Sequence, residues 1–191
     1  MAAGQSSRFS RNKLLMEFDG LSLAERTLGA VPADMLDRIV VVTRFPEVRA
    51  WAEAKGFDIQ WNDAPEKGIS LTIRLGLQLM RDMDAVVFMV CDQPLLTRAS
   101  VSASVEYFRE HPDRIVSASY ASLRGNPCIF PSVYFPELNA LTGDTGGSAV
   151  IREHEDALLL FEFPDASELK DIDQISDIES IPGYRSTGSQ K

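Results

Sequence analysis

Ala85-Val-Val-Phe-Met-Val-Cys91, followed directly by Asp92-Gln-Pro94, is the stretch that decides the fold of this 191-residue chain. Seven residues without polar alternation predict a short strand that is buried on both faces. Such strands belong to parallel sheets that helices cover on either side. In sheets of that kind ligands bind at the carboxyl ends of the strands, and Asp92 stands at such an end.

The sequence on both sides of this stretch alternates between strand and helix patterns. Further strands are predicted at residues 38–43, 57–61, 114–120, 125–131 and 158–163, and helices at 46–55, 70–83 and 97–109, with a short helix after residue 173. Ser70 and Thr97 are the predicted N-caps of two helices, and a turn is expected to open the strand at Gly125. Strands separated by helices favour a mostly parallel sheet in an α/β sandwich.

Length and composition set the broad class of the protein. We expect residues 1–185 to form a single domain and the polar residues 186–191 to be a tail. The formal net charge of −9 argues against nucleic acid or an anionic membrane surface as a partner. No apolar run reaches the roughly 20 residues of a membrane span, and we find no signal-peptide pattern. Two cysteines and two histidines without ligand spacing argue against zinc, so we expect a cytoplasmic protein.

The first 16 residues form a basic segment in an otherwise acidic chain. They contain Arg8, Arg11 and Lys13 and no acidic residue. Gly4 permits close approach of the backbone, while backbone N–H groups, serine hydroxyls and the cations can hold phosphate oxygens. The spacing is neither that of a P-loop nor that of a Rossmann dinucleotide fingerprint. The segment therefore predicts a polyphosphate site of another kind.

Two acidic positions are candidate Mg²⁺ ligands. Asp92 ends the buried strand, and Asp171 and Asp173 follow the last predicted strand. Phosphoryl chemistry on a magnesium nucleotide commonly uses carboxylates from two strand ends. The alternatives are a turn aspartate at position 92 and a solvated loop or helix cap at 171–173. Asn126, at the entrance of a strand, could contact a base or a pterin edge of a ligand.

Six short motifs follow one another along the chain. They are Ala2-Ala-Gly-Gln-Ser-Ser-Arg8 with Lys13-Leu-Leu15, Gly68-Ile-Ser70, Cys91-Asp-Gln-Pro94, Gly125-Asn-Pro127, Gly143-Asp144 with Gly146, and Asp171-Ile-Asp173. In this order they resemble the MobA-like nucleotidyltransferases, and most of all the molybdenum cofactor cytidylyltransferases. The resemblance implies a Rossmann-like three-layer α/β/α sandwich. Members carry a strand ahead of the Ala-Ala-Gly motif, so we expect this chain to lack the usual first strand and the DNA upstream of Met1 to encode it.

The resemblance also implies an activity, which is transfer of CMP from CTP to the phosphate of the molybdopterin cofactor with release of pyrophosphate. The implied site residues are Ala2, Ala3 and Gly4 as backbone contacts to the nucleotide, Arg8 and Lys13 as catalytic cations on the triphosphate, Ser70 near the base, and Asp92 and Asp173 as Mg²⁺ ligands, to which the residue pattern adds Asn126 as a substrate contact. Because the attacking phosphate is already ionised, no general base is required. A molybdenum hydroxylase is the implied client.

Two alternatives stay open at this point. The first keeps nucleotidyl transfer but uses GTP, or a sugar phosphate as the acceptor. The second is a non-catalytic accessory protein that binds the cofactor and delivers it to a molybdoenzyme. An Asp92→Ala variant separates these classes, because an enzyme would lose turnover and a carrier would keep its cofactor binding.

Overall fold

The computed structural model describes residues 13–172 except Asp19, together with residues 176 and 177. The strands are β1 (Glu17–Phe18), β2 (Leu21–Ser22), β3 (Val40–Thr43), β4 (Asp58–Trp61), β5 (Ala85–Phe88), β6 (Ile115–Tyr120), β7 (Leu123–Pro131) and β8 (Leu158–Glu162). The helices are α1 (Leu23–Gly29), α2 (Pro46–Ala54), α3 (Ile69–Gln78), α4 (Arg98–Glu110), α5 (Phe135–Ala140) and α6 (Ser148–Glu153). No helix of the described part is long and apolar enough to span a membrane.

The strands form two blocks and one small hairpin. In the first block β3 and β4 are parallel, with Val40 opposite Asp58. The second block has the order β5-β7-β6-β8, in which β6 and β8 are parallel. The long strand β7 lies antiparallel between β5 and β6. Antiparallel pairing of β1 with β2 makes the hairpin.

Helices cover both faces of the strands. On β5, Val86 packs in a core cluster with Ile73 of α3, whereas Val87 on the opposite face packs in a cluster with Val105 of α4. On β3, Val41 packs in a cluster with Leu28 of α1. This alternation of side chains produces helix, strand and helix layers. The predicted α/β/α sandwich is therefore confirmed.

The antiparallel strand β7 is a feature that the sequence did not reveal. A two-residue hairpin loop at Ala121 and Ser122 joins it to β6, and both residues have positive φ, at 48° and 64°. Positive φ at both positions suits the twist of a hairpin, but Gly or Asn normally signals such a turn. The expected turn at Gly125 was wrong, because Gly125 lies inside the nine-residue strand. The block is consequently mixed, with two antiparallel pairs and one parallel pair, where a mostly parallel sheet was predicted.

Helix α3 differs from its predicted bounds, whereas the start of α4 agrees. Gly68 is the N-cap of α3, and Ser70 lies inside the first turn with a fully buried side chain. The prediction that Ser70 caps this helix was therefore wrong. At α4 the Thr97 side chain accepts a hydrogen bond from the Ser100 backbone N–H, so the predicted cap is confirmed.

Candidate functional site

Asp92 and Lys13 meet beyond the carboxyl end of β5. The Lys13 ammonium donates to Asp92 Oδ2 at 2.8 Å and to the backbone carbonyl of Ile172 at 2.9 Å. The side chains of Lys13 and Asp92 keep 17% and 24% of their surface exposed. Asp92 Oδ1 has no hydrogen-bond partner among the residues that the structure describes. The arrangement places one cation and one partly open carboxylate side by side at the predicted end of the strand.

The segment that follows β8 returns to this strand end. The Ile172 backbone N–H donates to the Asp92 carbonyl at 2.9 Å. The side chain of Gln93, which is almost fully buried, donates from Nε2 to the Leu169 carbonyl and to Asp171 Oδ1 at 2.9 Å. Asp171 is thereby held beside Asp92 although the two are far apart in sequence. Gln93 is a positioning residue that sequence analysis missed, and its place inside the Cys91–Pro94 motif was the available signal.

Glu168 fixes the returning segment to the start of α4. Its carboxylate is buried, with 4% of its surface exposed. Oε2 accepts from the Thr97 backbone N–H and from the Thr97 hydroxyl at 2.9 Å, and Oε1 accepts from the Ser100 hydroxyl at 2.8 Å. A carboxylate at a helix N-terminus is favoured by the helix dipole. Nothing in the sequence pairs Glu168 with a residue 71 positions away, so only the fold reveals this contact.

Two of the predicted motifs meet at the N-terminus of α3. The Ser70 backbone N–H donates to the Gly143 carbonyl at 3.2 Å, and the Ile69 N–H lies 3.3 Å from Asp144 Oδ1. Gly68 has φ of +82°, and a Cβ at that position would fall 2.6 Å from the Asp144 backbone nitrogen. Glycine is therefore required at position 68 both for its backbone angle and for the close approach. Among the residues that the structure describes, the buried Ser70 hydroxyl has no hydrogen-bond partner.

A cavity of about 280 Å³ lies next to these motifs. Its wall includes Ile69, Val90, Arg124, Asn126 and Ser148. Phe88 pairs with Cys128 in antiparallel register at the end of β5, and the wall of the cavity continues from this pair to Val90 and Asn126. The cavity thus joins the Gly68–Ser70, Gly125–Pro127 and Gly143–Gly146 motifs. Arg124 was not predicted, and its position beside the Asn126 motif was the signal for it.

The remaining predicted site residues lie outside the described residues. These are Ala2, Ala3, Gly4, Arg8 and Asp173. Within the described part, no three His, Cys, Asp or Glu side chains form a group that could hold a metal ion. Mg²⁺ is commonly bound by one or two carboxylates together with substrate phosphates and water. Asp92, whose side chain is partly exposed, suits that manner of binding.

Cys91 is a core residue, as the sequence indicated, whereas Cys128 is partly buried and packs against the core. Burial raises the pKa of the Cys91 thiol, and a nearby negative charge on Asp92 raises it further. Burial also raises the pKa of Cys128. A hydrogen bond with Ser117 lowers this pKa, but the effect of burial is larger. Both thiols are free of disulfides. Thiols kept protonated in this way are poor nucleophiles and poor metal ligands.

Comparison with protein families gives a match over most of the chain. Residues 1–158 match the model of the MobA-like NTP transferase domain. A relative of known name is the purine catabolism protein PucB of Bacillus subtilis. It is 27% identical over 194 aligned positions, which cover 95% of this chain and 93% of the relative. The similarity therefore spans nearly the full length of both proteins.

Solved structures share the fold. The structure of Rv0371c of Mycobacterium tuberculosis in complex with manganese superposes with a TM-score of 0.71 at 23% identity, covering 94% of this chain and 96% of that one. A structure of CMP:2-keto-3-deoxy-manno-octonic acid synthetase complexed with CTP superposes with a TM-score of 0.67 at 12% identity, covering 89% and 90% of the two chains. At these identities the likeness establishes the fold.

Proposed function

The chain belongs to the MobA-like NTP transferase family, and from that premise we propose that it transfers CMP from CTP to the phosphate of the molybdopterin cofactor, with release of pyrophosphate. The observation that carries the proposal is the Lys13–Asp92 pair at the carboxyl end of β5. It combines, at one point of the fold, a cation for phosphate oxygens and a carboxylate for a divalent ion. The client is a molybdenum hydroxylase, and the name of the Bacillus relative, which refers to purine catabolism, is compatible with it.

The reaction that we propose is a single displacement at the α-phosphorus of CTP. A phosphate oxygen of the acceptor forms the new P–O bond, and the bond to the β-phosphate oxygen breaks, so that pyrophosphate carries away the electron pair. The attacking oxygen is already ionised at neutral pH, and therefore no side chain has to remove a proton. Positioning and stabilisation of negative charge supply the rate enhancement.

Among the residues that the structure describes, Lys13 is the one that we propose to bind the negatively charged triphosphate. In this structure its ammonium is held by Asp92 and by the Ile172 carbonyl, which fix its position before a nucleotide binds. A preorganised cation needs little rearrangement when charge develops in the transition state. Arg8 is proposed to act on the same phosphates, and Ala2, Ala3 and Gly4 to contact the nucleotide through their backbone.

Asp92 is the proposed ligand of the divalent cation, with Asp173 as the second. A bound Mg²⁺ would neutralise phosphate charge and orient the α-phosphate for in-line attack. The donor chemistry fits, because Asp92 offers a hard oxygen that is partly exposed and lies beside the proposed phosphate site. The manganese complex of Rv0371c supports a divalent ion in this fold.

The 280 Å³ cavity beside Asn126 is the proposed place of the acceptor. It lies next to Val90 and hence two residues from Asp92 along the chain. Asn126 offers both amide donors and a carbonyl acceptor to a pterin edge, and Arg124 offers a cation to the acceptor phosphate. Ser70, which follows Ile69 of the cavity wall in the chain, is proposed to lie near the cytosine. The CTP complex of the synthetase supports cytidine nucleotide as the donor.

Pyrophosphate release tests this function directly. The purified chain is incubated with molybdopterin and either CTP, GTP or ATP, in the presence of Mg²⁺ or Mn²⁺. We expect turnover with CTP at least tenfold faster than with GTP, and loss of turnover in Asp92→Asn. The matched control is Asp82→Asn, which removes an exposed carboxylate at the other end of β5.

The outcomes separate the alternatives. Preference for GTP would overturn the choice of nucleotide and keep the enzyme class. In a parallel assay a sugar phosphate replaces molybdopterin, and turnover with the sugar phosphate but not with molybdopterin would overturn the acceptor. Binding of molybdopterin without pyrophosphate release from any nucleotide would overturn the enzyme and support a carrier.

A further inference from the structure

The strand β8 lies at the edge of the second block. Among the described residues it pairs with β6 alone, so its outer side has no neighbouring strand there. Its sequence, Leu158-Leu-Leu-Phe-Glu162, has four apolar residues in succession and neither lysine nor proline. Proteins commonly protect an edge strand with such residues, because a free edge is a template for pairing with another chain. The outer side of β8 is therefore a candidate interaction surface.

The backbone of β8 carries hydrogen-bonding groups on this outer side. The Phe163 N–H donates to the Ser119 carbonyl of β6 at 2.8 Å. Since backbone groups point to alternate sides along a strand, the N–H and C=O groups of Leu160 and Glu162 point away from β6. The Leu158 groups have the same direction, but its N–H is bonded within the turn that precedes β8. An added strand can therefore bond to Leu160, to Glu162 and to the Leu158 carbonyl.

The side chains of β8 are apolar and partly open. Leu160 keeps 40% of its surface exposed. Leu159 and Phe161, on the opposite face, are half-buried, and Phe161 packs against Tyr107 of α4 with ring centroids 5.3 Å apart. The chain after β8 turns back over this face, where Leu169 packs in a cluster with Phe161. This returning segment lies on the face of the sheet and not along its outer edge.

The occupant that fits this edge is a second copy of β8. Antiparallel pairing around a two-fold axis sets residues with outward backbone groups opposite one another, so the centre must be Leu158, Leu160 or Glu162. A centre at Glu162 would place two carboxylates face to face and Pro164 within the ladder. A centre at Leu158 would require pairing of the helical turn Glu155–Ala157. The register with Leu160 opposite Leu160 has neither fault.

We propose that the chain forms a two-fold symmetric dimer in which β8 pairs antiparallel with β8 of a second copy. In this register the Leu160 N–H and C=O bond to Leu160 of the other copy, and the Glu162 N–H bonds to the Leu158 carbonyl. On one face Leu160 packs against its symmetry mate, and on the other face Leu159 packs against Phe161. Aromatic residues are enriched at the centres of such interfaces.

The charges at the ends of the interface are complementary. In this register each Glu162 lies opposite Leu158 of the other copy. That position is next to the Ala157 carbonyl, to which Arg114 donates at 3.0 Å. A carboxylate thus comes to the end of the strand that carries a cation, and the two glutamates of the dimer are kept apart.

The dimer sets two cavities on one face of a continuous sheet. Ser117 lines the cavity of about 280 Å³ and is paired with Leu160. Because paired residues of an antiparallel ladder share a face, the cavity of the second copy lies on the same face of the joined sheet. Neighbouring strands are about 4.8 Å apart, so the two Ser117 positions are separated by about 14 Å.

A charge at the axis tests the interface in the full chain. Leu160→Lys sets two ammonium groups face to face, and its matched control is Val133→Lys, at another exposed apolar residue. Sedimentation equilibrium should give the mass of two chains for the unchanged protein and for the control. We expect Leu160→Lys to raise the Kd of the dimer at least about tenfold.

A cysteine at the axis gives an independent readout. Hydrogen-bonded pairs in an antiparallel ladder have Cα atoms about 5.5 Å apart, a distance that suits a disulfide. Oxidation with copper–phenanthroline should therefore link Leu160→Cys into a covalent dimer. Val133→Cys is the control and should stay unlinked at the same protein concentration.

An unchanged chain that stays monomeric at about 100 μM would overturn the proposal. A dimer that persists in Leu160→Lys would also overturn it, as would the absence of a cross-link in Leu160→Cys, because the interface would then lie elsewhere. These measurements report mass and not turnover, so their failure is distinct from failure of the proposed enzyme activity.

Discussion

Gly68 and Gly143 lie in direct backbone contact, and this contact joins the first turn of α3 to the loop before α6. A Cβ on Gly68 would overlap the Gly143 carbonyl, and Gly68 has φ of +82°. Gly143 also has positive φ, at +59°, but a Cβ there would meet nothing within 4 Å. The two glycines thus share a backbone requirement and differ in the space around them.

A pair of alanine variants separates these two effects. Gly143→Ala should cost about 1 kcal/mol, which is the ordinary penalty of a left-handed alanine. Gly68→Ala adds steric overlap with backbone that cannot move alone, so we expect a loss of more than about 3 kcal/mol. Urea denaturation of both variants measures the difference. Equal losses would show that the loop yields to the added methyl group.

Lys13 gives a prediction for activity. Lys13→Met removes the ammonium that bonds to Asp92 and Ile172 while keeping an unbranched side chain. We expect kcat/KM for the nucleotide to fall by about 100-fold, or about 3 kcal/mol, because a preorganised cation is lost from the transition state. Lys55→Met, at an exposed position after α2, is the control and should leave turnover unchanged. Similar kinetics for the two variants would remove Lys13 from the mechanism.

Glu168 gives a prediction for stability. Glu168→Ala leaves the Thr97 N–H and two hydroxyl groups without their buried acceptor. We expect a loss of about 3 kcal/mol in the free energy of unfolding, since unsatisfied buried donors keep their full desolvation cost. The control is Glu106→Ala, at an exposed position of α4, the helix that Thr97 caps. It should change the free energy of unfolding by less than about 0.5 kcal/mol. The comparison is made by chemical denaturation, and a small effect at position 168 would mean that water replaces the carboxylate.

The buried thiols predict a pH dependence. Burial holds the pKa of Cys91 and of Cys128 above the ordinary value of 9.0 in the folded protein. Their contribution to stability is fully present below that value and is lost as the pH rises through the folded pKa, because the unfolded chain releases its thiol protons first. Each thiol lowers the free energy of unfolding by about 1.4 kcal/mol per pH unit in this window.

The measurement compares the chain with a Cys91→Ala, Cys128→Ala double variant between pH 8 and about 11. The variant lacks both thiols, and lysines and tyrosines titrate in both proteins. The difference in slope therefore isolates the cysteines. Identical slopes would contradict the raised pKa values.

The α/β/α sandwich was predictable because the spacing of apolar residues along this chain marks where strands and helices alternate. The run at 85–91 and the Thr97 cap depend on neighbouring residues. The structure confirms the cap, and it has the strand at Ala85–Phe88, the first four of the seven predicted residues. The hairpin at Ala121 and Ser122 was missed because neither residue marks positive φ. At Ser70, the capping pattern was overridden by tertiary packing that buries the side chain.

The site was predictable only in part. Asp92 and Lys13 were each found as members of short motifs, but their contact joins residues 79 positions apart. Glu168 and Gln93 act through partners 68 to 78 positions away, and no local spacing carries that information. Arg124 reaches the cavity through the register of an antiparallel strand that was not foreseen.

The bond from Lys13 to the Ile172 carbonyl spans 159 positions, and this has a consequence for synthesis on the ribosome. A nascent chain presents Lys13 and Asp92 long before Ile172 exists. Until translation reaches Ile172, the Lys13 ammonium cannot bond to the Ile172 carbonyl. The carboxyl end of β5 also lacks the segment after β8, which is held through Gln93 and through Glu168. Vectorial synthesis thus delays completion of this corner until residue 172 has been added to the chain.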